Sequence, residues 1–329
     1  MDVVLKLLYN VALLFIMMLP GFILKKCRLS TDGLGKGLSN LVLYVAQPAL
    51  VFMAYVRPFD KSILLNALMV FIFSIVAHVI FSVVAMLSYK KAPDAMRRML
   101  RFATIFSNAA FMGIPLVDAV LGGEATLYAT IYNITFNLFL WSLGVHICTS
   151  DRDYDGDGTI DKDIEEYHKS QVSFKKALLH PVTIAAALGL LAFFFSAGNY
   201  IPDIVSESLT MLKNLVAPLS MIVIGLRLGD IDFRGFWKDK NLWIFILLRH
   251  LALPVIVFAI MRLIVLVGLS ISTDVMTVVL LMASAPAATS ATMFAEKYDC
   301  DAVYVSKIVA ISTILCIATM PIIILLTNV

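Results

Sequence analysis

The sequence predicts an all-α polytopic membrane protein with ten transmembrane helices. Three observations lead to this prediction: the composition, the length of the apolar runs, and the distribution of lysine and arginine among the loops. Hydrophobic residues make up 60% of the 329 residues, charged residues make up 15%, and the mean hydropathy is +0.91. Soluble domains carry about 25% charged residues, so much of the surface of this chain must contact lipid. The formal net charge of +3 is too small to indicate a nucleic-acid partner.

Ten apolar stretches have the length of a membrane-spanning helix. A helix needs about 20 apolar residues to cross a hydrocarbon core of about 30 Å. Seven stretches contain no Asp, Glu, Lys or Arg: 7–24, 37–56, 62–88, 125–150, 177–202, 275–295 and 308–329. Three more, near 99–121, 207–228 and 241–267, are apolar with a few embedded charges. The first stretch also resembles a signal peptide, because Lys6 precedes it. No small-x-small cleavage site follows, so we expect it to remain as the first helix.

Lysine and arginine predict the orientation of these helices. The odd-numbered loops and the helical turns beside them hold 19 of these residues, whereas the even-numbered loops hold only Arg57 and Lys61. Basic residues concentrate in the cytoplasmic loops of membrane proteins. We therefore expect the odd-numbered loops, including the long loop between the fifth and sixth helices, to lie in the cytoplasm and both termini to lie outside.

Two pairs of segments indicate an internal repeat. Residues 38–60 resemble residues 209–231, and residues 124–141 resemble residues 301–318. Each pair is five helices apart, and because five is odd the two halves insert in opposite senses. Inverted repeats of this kind are typical of secondary transporters, whose site lies at the membrane midplane between the halves. The prediction divides the chain into a first five-helix repeat (1–148), a cytoplasmic acidic loop (149–176) and a second five-helix repeat (177–329).

The fourth and ninth predicted helices contain the candidate binding site. Each carries small and polar residues and one proline at mid-membrane depth, Pro115 and Pro286. Proline removes a backbone donor and clashes with the preceding turn, and unpaired backbone groups at that depth persist only where they line a cavity or meet a ligand. Two half-helix N-termini with free N–H groups would suit a carboxylate. Five side chains would add neutral hydrogen bonds: Ser107, Asn108, Thr289, Ser290 and Thr292.

An alternative interpretation is that these features serve helix packing alone. Proline and glycine are common in membrane helices, and small residues bring helices close together. The two prolines fall at corresponding points of the repeat, which favours a functional break. Asn133, inside the fifth helix, would either join helices or contact the substrate. His78 would be a packed histidine or a proton relay, and Arg249 and His250 are near enough to the cytosol to extend towards it.

Three segments resemble the auxin efflux carrier family of bacterial and plant transporters: SNAAFMGIPL (107–116), LYATIYNITFNLFLWSLGV (127–145) and APAATSATMFAEKYDCDA (285–302). The resemblance covers nearly the whole chain. It implies two inverted five-helix repeats with broken fourth and ninth helices that cross at a proline, a scaffold domain, a mobile transport domain and often a homodimer. By this resemblance, Asn108, Pro115 and Pro286 lie at the crossover.

The resemblance also implies a class of substrate. Substrates of the family are organic anions: auxin in plants, and malate, malonate or similar carboxylates in bacteria. We expect a bacterial, malate permease-like member in the inner membrane. The chain departs from the family in the ninth helix, where many bacterial members have asparagine or glycine after the proline and this chain has Ala287-Ala288-Thr289-Ser290. The identity of the anion is therefore open.

The loop between the fifth and sixth helices contains a segment similar to an EF-hand, DYDGDGTIDKDI (153–164). The calcium ligands would be Asp153, Asp155, Asp157, the carbonyl of Thr159 and Asp161. Position 12 is Ile164 instead of the usual bidentate glutamate, and Glu165 lies one place late, so the affinity would be weak. The alternative is an acidic, solvated loop without bound metal.

These observations predict a secondary transporter of small organic anions that works by alternating access and requires no cofactor. No nucleotide-binding motif is present, and the coupling ion, H⁺ or Na⁺, is open. An intramembrane enzyme such as a protease would need a catalytic pair at membrane depth, and none is apparent, although the sequence alone leaves Ser107 with His78 as a candidate pair. A third interpretation is a ligand-sensing membrane protein on a transporter fold.

Overall fold

The computed structural model describes residues 2–31, 33–149, 178–231, 238–298 and 300–327, and within these ranges the chain is helical without any strand. The helices are α1 (Asp2–Lys26), α2 (Leu34–Tyr55), α3 (Lys61–Leu87), α4 (Asp94–Ile105), α5 (Ala109–Val120), α6 (Gly123–Thr149), α7 (Pro181–Phe194), α8 (Asp203–Gly229), α9 (Lys240–Leu266), α10 (Thr273–Ser284), α11 (Ser290–Lys297) and α12 (Ala302–Thr327).

Seven of the described helices are long and apolar enough to cross a membrane: α1, α2, α3, α6, α8, α9 and α12. The helices α5, α7 and α10 are also apolar, but they have only 10–17 residues. The predicted fourth helix is divided into α4 and α5, and the predicted ninth helix into α10 and α11. The prediction of an all-helical membrane protein is therefore confirmed, and two of the predicted spans are broken as expected.

Prolines in three helices follow a widened helical turn. The turns Val42–Ala46, Ala109–Gly113 and Leu248–Ala252 have π-helical geometry, and each lies two residues before a proline. Proline has no N–H and its ring clashes with the preceding turn, so the carbonyls of that turn must find other donors. A widened turn is one way to accommodate this without ending the helix.

Glycines allow α1 and α8 to pack with their backbones in direct contact. A Cβ atom on Gly21 of α1 would lie 2.1 Å from the carbonyl oxygen of Ile222, and one on Gly225 of α8 would lie 2.0 Å from the carbonyl oxygen of Met18. Close approach of this kind is how membrane helices gain van der Waals contact when lipid removes the hydrophobic driving force. In a similar contact, Gly189 of α7 packs against the ring of Tyr55 in α2. Thus α1 lies against α8, and α7 lies against α2.

The remaining helices pack around the two breaks. The helices α3 and α6 lie together, α10 contacts both of them, and α12 contacts α4, α10 and α11. Aromatic side chains fill the space next to the breaks, where Phe106 lies 4.7 Å from Phe102 and 5.7 Å from Phe136 between ring centroids. The lipid-facing surface carries exposed apolar side chains such as Ile16 and Ile72. This arrangement places the interrupted helices at the centre of the molecule.

Candidate functional site

The breaks in the two interrupted helices face each other inside the protein. Ser107, between α4 and α5, and Ala287, between α10 and α11, form an isolated antiparallel β-bridge. The bridge has two backbone hydrogen bonds, from Asn108 N to Pro286 O at 2.7 Å and from Ala288 N to Phe106 O at 2.9 Å. Backbone groups that the breaks release from helical bonding thus satisfy each other. We call the segments 106–108 and 285–289 together the crossing.

Pro286 accounts for one side of the crossing. The residue before a proline avoids the helical region, and Ala285 is accordingly extended, with φ −57° and ψ 149°. No proline lies in the opposite segment, where Phe106 is extended at φ −95° and ψ 116° and bonds to the other break. Pro115 lies inside α5, seven positions after Asn108, and follows a widened turn. It shapes α5 and is not part of the bridge.

Arg249 of α9 joins the ends of both half-helices. Its Nη2 donates to the carbonyl oxygen of Ala285 at 2.7 Å, and its Nη1 donates to that of Thr104 at 3.2 Å. Its guanidinium also lies 5.3 Å from the ring centroid of Phe81, and the side chain is fully buried, at 0% exposure. These carbonyls belong to the C-terminal ends of α4 and α10, where the helix dipole is negative. The negative ends of the two helix dipoles offset part of the cost of burying this cation.

Arg249 has no acidic partner among the residues that the structure describes. The ion pairs found there join other side chains, such as Lys25 with Asp230 and Lys213 with Asp118. Arginine keeps its positive charge in proteins. The crossing therefore holds a formal positive charge whose contacts, among the described residues, are two carbonyl oxygens and an aromatic ring.

His250 contacts the crossing through the hydroxyl of Ser312 in α12. Its Nε2 lies 2.8 Å from Ser312 Oγ, and its Nδ1 lies 3.0 Å from Thr319 Oγ1. Ser312 Oγ in turn accepts a 2.8 Å hydrogen bond from the backbone N–H of Ala287. The amide of the bridge residue is thus held by α12 through a serine hydroxyl that His250 orients.

Several buried polar atoms in and beside the crossing lack a hydrogen-bond partner. Among the described residues they are Asn108 Nδ2, Ser284 Oγ, Ser290 Oγ and Arg249 Nε, and Ser107 Oγ has no hydrogen bond of normal geometry although it faces the Tyr132 hydroxyl. Most buried polar groups in proteins are satisfied, and each exception calls for an explanation. Gln47 of α2 adds a further polar group, because its Nε2 donates to the carbonyl oxygen of Ala110 at 3.1 Å while its Oε1 has no partner. A polar ligand at the crossing would satisfy groups of this kind.

Five of the predicted site residues lie at the crossing or directly after it, and the others lie elsewhere. The structure places Ser107, Asn108, Pro286, Thr289 and Ser290 at the crossing or in the turn that follows it. Thr292 lies one turn further along α11, where its Oγ1 is 3.3 Å from Ser306 Oγ. Asn133 is buried in α6; its carbonyl accepts from Asn137 Nδ2 at 2.9 Å and its Oδ1 has no partner. No hydrogen bond in the described ranges joins Asn133 to the crossing.

A cavity of about 1050 Å³ leads to the end of the crossing. Its wall includes Thr289 and Thr292, and it reaches the ends of α1, α2, α8, α11 and α12. Five basic side chains and two acidic ones line it: Lys25, Lys36, Arg227, Lys297, Lys307, Asp230 and Glu296. The lining is therefore predominantly basic, which favours an anion over a cation.

The expectation for Arg249 and His250 was wrong. The sequence suggested that both extend towards the cytosol, but Arg249 is buried on the crossing and His250 on α12. Their targets are carbonyl and hydroxyl groups more than 30 positions away in the sequence, which no local pattern shows. The available signal was the presence of an arginine inside an apolar helix, since such residues usually serve a function.

Two other expectations concern histidine and metal. His78 packs among Tyr132, Phe136 and Phe139, and its Nδ1 lies 2.7 Å from the carbonyl oxygen of Ser74. It makes no hydrogen bond with Ser107, whose hydroxyl faces that of Tyr132, so these two residues do not form a catalytic pair. The calcium ligands proposed at 153–161 lie outside the described residues.

Comparison with known proteins supports a transport function. Residues 7–324 match the model of the family described as membrane transport protein. The chain belongs to the membrane transport protein family. An uncharacterized transporter of Methanocaldococcus jannaschii is 25% identical over 310 residues, which cover 92% of this chain and 93% of the relative. An uncharacterized transporter of Methanothermobacter thermautotrophicus is 26% identical over 311 residues, which cover 93% of each chain.

Membership of this family confirms part of the sequence prediction. The chain is an integral membrane protein of a transporter family, and not a member of an enzyme family. The match also agrees with the resemblance to auxin efflux carriers. Both relatives are archaeal proteins without an assigned substrate, so the expected similarity to bacterial malate permeases stays a prediction.

Proposed function

We propose that this transporter carries small organic anions, with the carboxylate bound at the crossing of the two broken helices. The observation that carries the proposal is the buried charge of Arg249, which no carboxylate of the described residues neutralises. Asn108, in the crossing that Arg249 contacts through Ala285, adds a buried donor, Nδ2, without a partner among the same residues. A buried cation is costly unless an opposite charge compensates it. An anionic substrate supplies that charge while it is bound.

The donors around the crossing suit a carboxylate. The N-termini of α5 and α11 lie there, and helix N-termini present N–H groups with partial positive charge. Arg249 occupies the two C-terminal ends, so the negative ends of α4 and α10 are covered while the positive ends remain for the ligand. The hydroxyls of Ser107 and Ser290 add neutral hydrogen bonds. The predominantly basic lining of the cavity attracts anions towards Thr289.

We also propose ten spans arranged as two inverted repeats that work by alternating access. The contacts of the helices support this: α1 packs on α8, and α7 packs on α2. In the predicted count, α1 and α8 are the first and seventh spans, and α7 and α2 are the sixth and second spans. A shift of five spans converts one contact into the other, as a two-fold repeat requires. The crossing of the fourth and ninth spans maps onto itself under the same shift.

The proposed topology has a direct test. A reporter fused after Val329 is expected outside the cell, and a tag in the 151–170 loop is expected in the cytoplasm, as the basic residues predict. Finding both on the same side would refute the ten-span count and the inverted repeat. Homodimer formation and calcium binding by residues 153–161 remain predictions, and the coupling ion, H⁺ or Na⁺, is open.

Uptake into proteoliposomes tests the function. The purified protein is reconstituted and given radiolabelled malate, succinate, phenylacetate and hexanoate, with phenylacetamide as the neutral match of phenylacetate. We expect uptake of at least one carboxylate and none of the amide. Uptake of a cation or of the amide in preference to every acid would refute the anion proposal. Binding without any flux would favour a ligand-sensing protein on a transporter fold.

A further inference from the structure

Arg227 joins the two sides of the cavity. It lies in the last turn of α8, and its Nη1 donates to the carbonyl oxygen of Thr289 at 2.8 Å. The helix that carries Arg227 packs on α1 through Gly225, whereas Thr289 begins α11, which packs on α12. The hydrogen bond therefore joins α8 to the start of α11 across the cavity that both helices line.

The guanidinium of Arg227 has capacity for a second partner. It carries five N–H donors in a planar fork that matches a carboxylate, and within the described ranges only the carbonyl of Thr289 accepts from it. Lys25, which lies near the same end of the cavity, is already paired with Asp230 at 2.9 Å. Arg227 thus hydrogen-bonds to a neutral acceptor, and the acidic side chain whose charge acts on it is Glu296 of the same lining.

The surroundings of Arg227 define the class of ligand. Apolar side chains of the same cavity, among them Ile224, Leu226 and Met293, lie along its wall. The hydroxyls of Thr292 and Ser306 provide polar groups one turn beyond Thr289. A carboxylate with an apolar body fits this combination, because the acid reaches the guanidinium and the body contacts the apolar wall.

We propose that Arg227 binds the carboxylate of a substrate in this cavity, and that the bound anion replaces the carbonyl of Thr289 as the partner of the guanidinium. The assignment rests on the proposed transport of organic anions, and the Arg227 position is one that the carboxylate occupies in the cavity on its way to the crossing. A charged acceptor forms a stronger hydrogen bond with arginine than a neutral carbonyl does. Occupation by the anion therefore removes the only described hydrogen bond from Arg227 to the crossing, and it links ligand binding to the contact between α8 and the start of α11.

The test measures binding to the full-length protein in lipid nanodiscs by isothermal titration. The probes are phenylacetate, hexanoate, malate and succinate, with phenylacetamide as the neutral control. Arg227→Gln is expected to weaken binding of the preferred acid about ten- to a hundred-fold, as for the loss of charge-assisted hydrogen bonds. The affinity of Arg227→Lys should lie between those of the wild type and Arg227→Gln, because lysine keeps the charge but lacks the planar fork of N–H donors. Lys26 is an exposed cation at the end of α1 that does not line the cavity, so Lys26→Gln should bind as the wild type does.

A labelling experiment locates the ligand. Thr292→Cys is introduced after the four native cysteines are changed to serine, and the rate of reaction with a maleimide is measured. The preferred acid should slow the reaction when Arg227 is present and fail to do so at the same concentration in the Arg227→Gln background. A merely structural role for Arg227 would leave this protection intact once the variant is saturated with ligand to the same degree as the wild type.

The outcomes separate the two proposals. If the wild type binds an acid and Arg227→Gln binds it with unchanged affinity, Arg227 is not the carboxylate-binding residue, while the transport proposal stands. If no acid binds to or crosses the membrane with the wild type, the proposed function fails and the assignment of Arg227 fails with it. Equal weakening by Lys26→Gln and Arg227→Gln would show a general effect of surface charge and would also overturn the assignment.

Discussion

The guanidinium of Arg249 donates to the carbonyl oxygen of Ala285 at 2.7 Å, at the point where α10 ends and the chain turns into the crossing. Through Thr104 it holds the end of α4 in the same way. One side chain therefore replaces the backbone donors that both helices lose where they stop. The same side chain brings a positive charge to the middle of the protein, so one residue carries both the link between the two helix ends and the proposed attraction of an anion.

Arg249→Met is expected to destabilise the transporter. Removing the donors leaves two buried carbonyl oxygens unsatisfied, at a cost of about 1–3 kcal/mol each. Arg249→Lys should lose less stability, because an ammonium group reaches one carbonyl but does not bridge both. The measurement is the thermal unfolding midpoint of the detergent-solubilised protein, with Arg262→Met, an exposed arginine on the same helix, as the control. An unchanged midpoint for Arg249→Met would show that the crossing is stable without the hydrogen bonds from Arg249.

Ser312→Ala tests the support that α12 gives to the bridge. The substitution removes the acceptor of the Ala287 N–H and leaves a buried donor unsatisfied, which costs about 1–3 kcal/mol. The amide of Ala287 should then exchange with deuterium faster than in the wild type. Thr313→Ser is the matched control, since its hydroxyl bonds only to Val309 O within the helix. Equal exchange in Ser312→Ala and wild type would mean that another group holds this amide.

Much of the fold could be predicted from the sequence because apolar length and charge distribution are local properties. The breaks were also predictable at Pro286, since proline directly alters the residue before it. The break at Phe106 is different: no proline lies there, and its extended conformation follows from pairing with a segment 180 residues away. Pro115 indicated the correct helix, but it lies inside α5.

The candidate site was predictable only in part. Ser107, Asn108 and Thr289 were found because small polar residues are unusual in apolar helices. Gln47 and Arg249 come from other helices, and only the packing brings them next to the breaks. An isolated charge near the end of an apolar run has the same sequence pattern whether its side chain extends to the surface or turns inwards. The burial of Arg249 could therefore not be predicted from the sequence.

Gly225→Ala should weaken the contact between α1 and α8. The added Cβ would lie 2.0 Å from the carbonyl oxygen of Met18, a backbone atom that cannot move without shifting α1. We expect a lower thermal midpoint and a loss of about 1–3 kcal/mol, as for overpacking of a core. Gly37→Ala is the control, because nothing lies within 4 Å of its Cβ position in α2. That substitution should be neutral or stabilise by about 0.5–1 kcal/mol. The same loss at both glycines would refute the close contact.

Asn108→Ala is expected to weaken substrate binding while the fold remains. The side chain is buried at 2% exposure and its Nδ2 has no partner among the described residues, so removing it leaves no other described group unsatisfied. The backbone N–H of Asn108 keeps its hydrogen bond to Pro286 O, which preserves the bridge. Loss of one hydrogen bond to a charged ligand costs about 1.5–3 kcal/mol, or roughly ten- to a hundred-fold in affinity.

The measurement for Asn108→Ala combines uptake into proteoliposomes with the unfolding midpoint. Thr289→Ala and Ser290→Ala should each lose less affinity, because the backbone N–H groups at the start of α11 remain. Asn10→Ala, whose exposed amide bonds only to the carbonyl of Lys6, is the matched control and should leave uptake unchanged. If Asn108→Ala retains wild-type affinity for the transported anion, the substrate does not bind at the crossing. The buried charge of Arg249 would then serve only to hold the helix ends together.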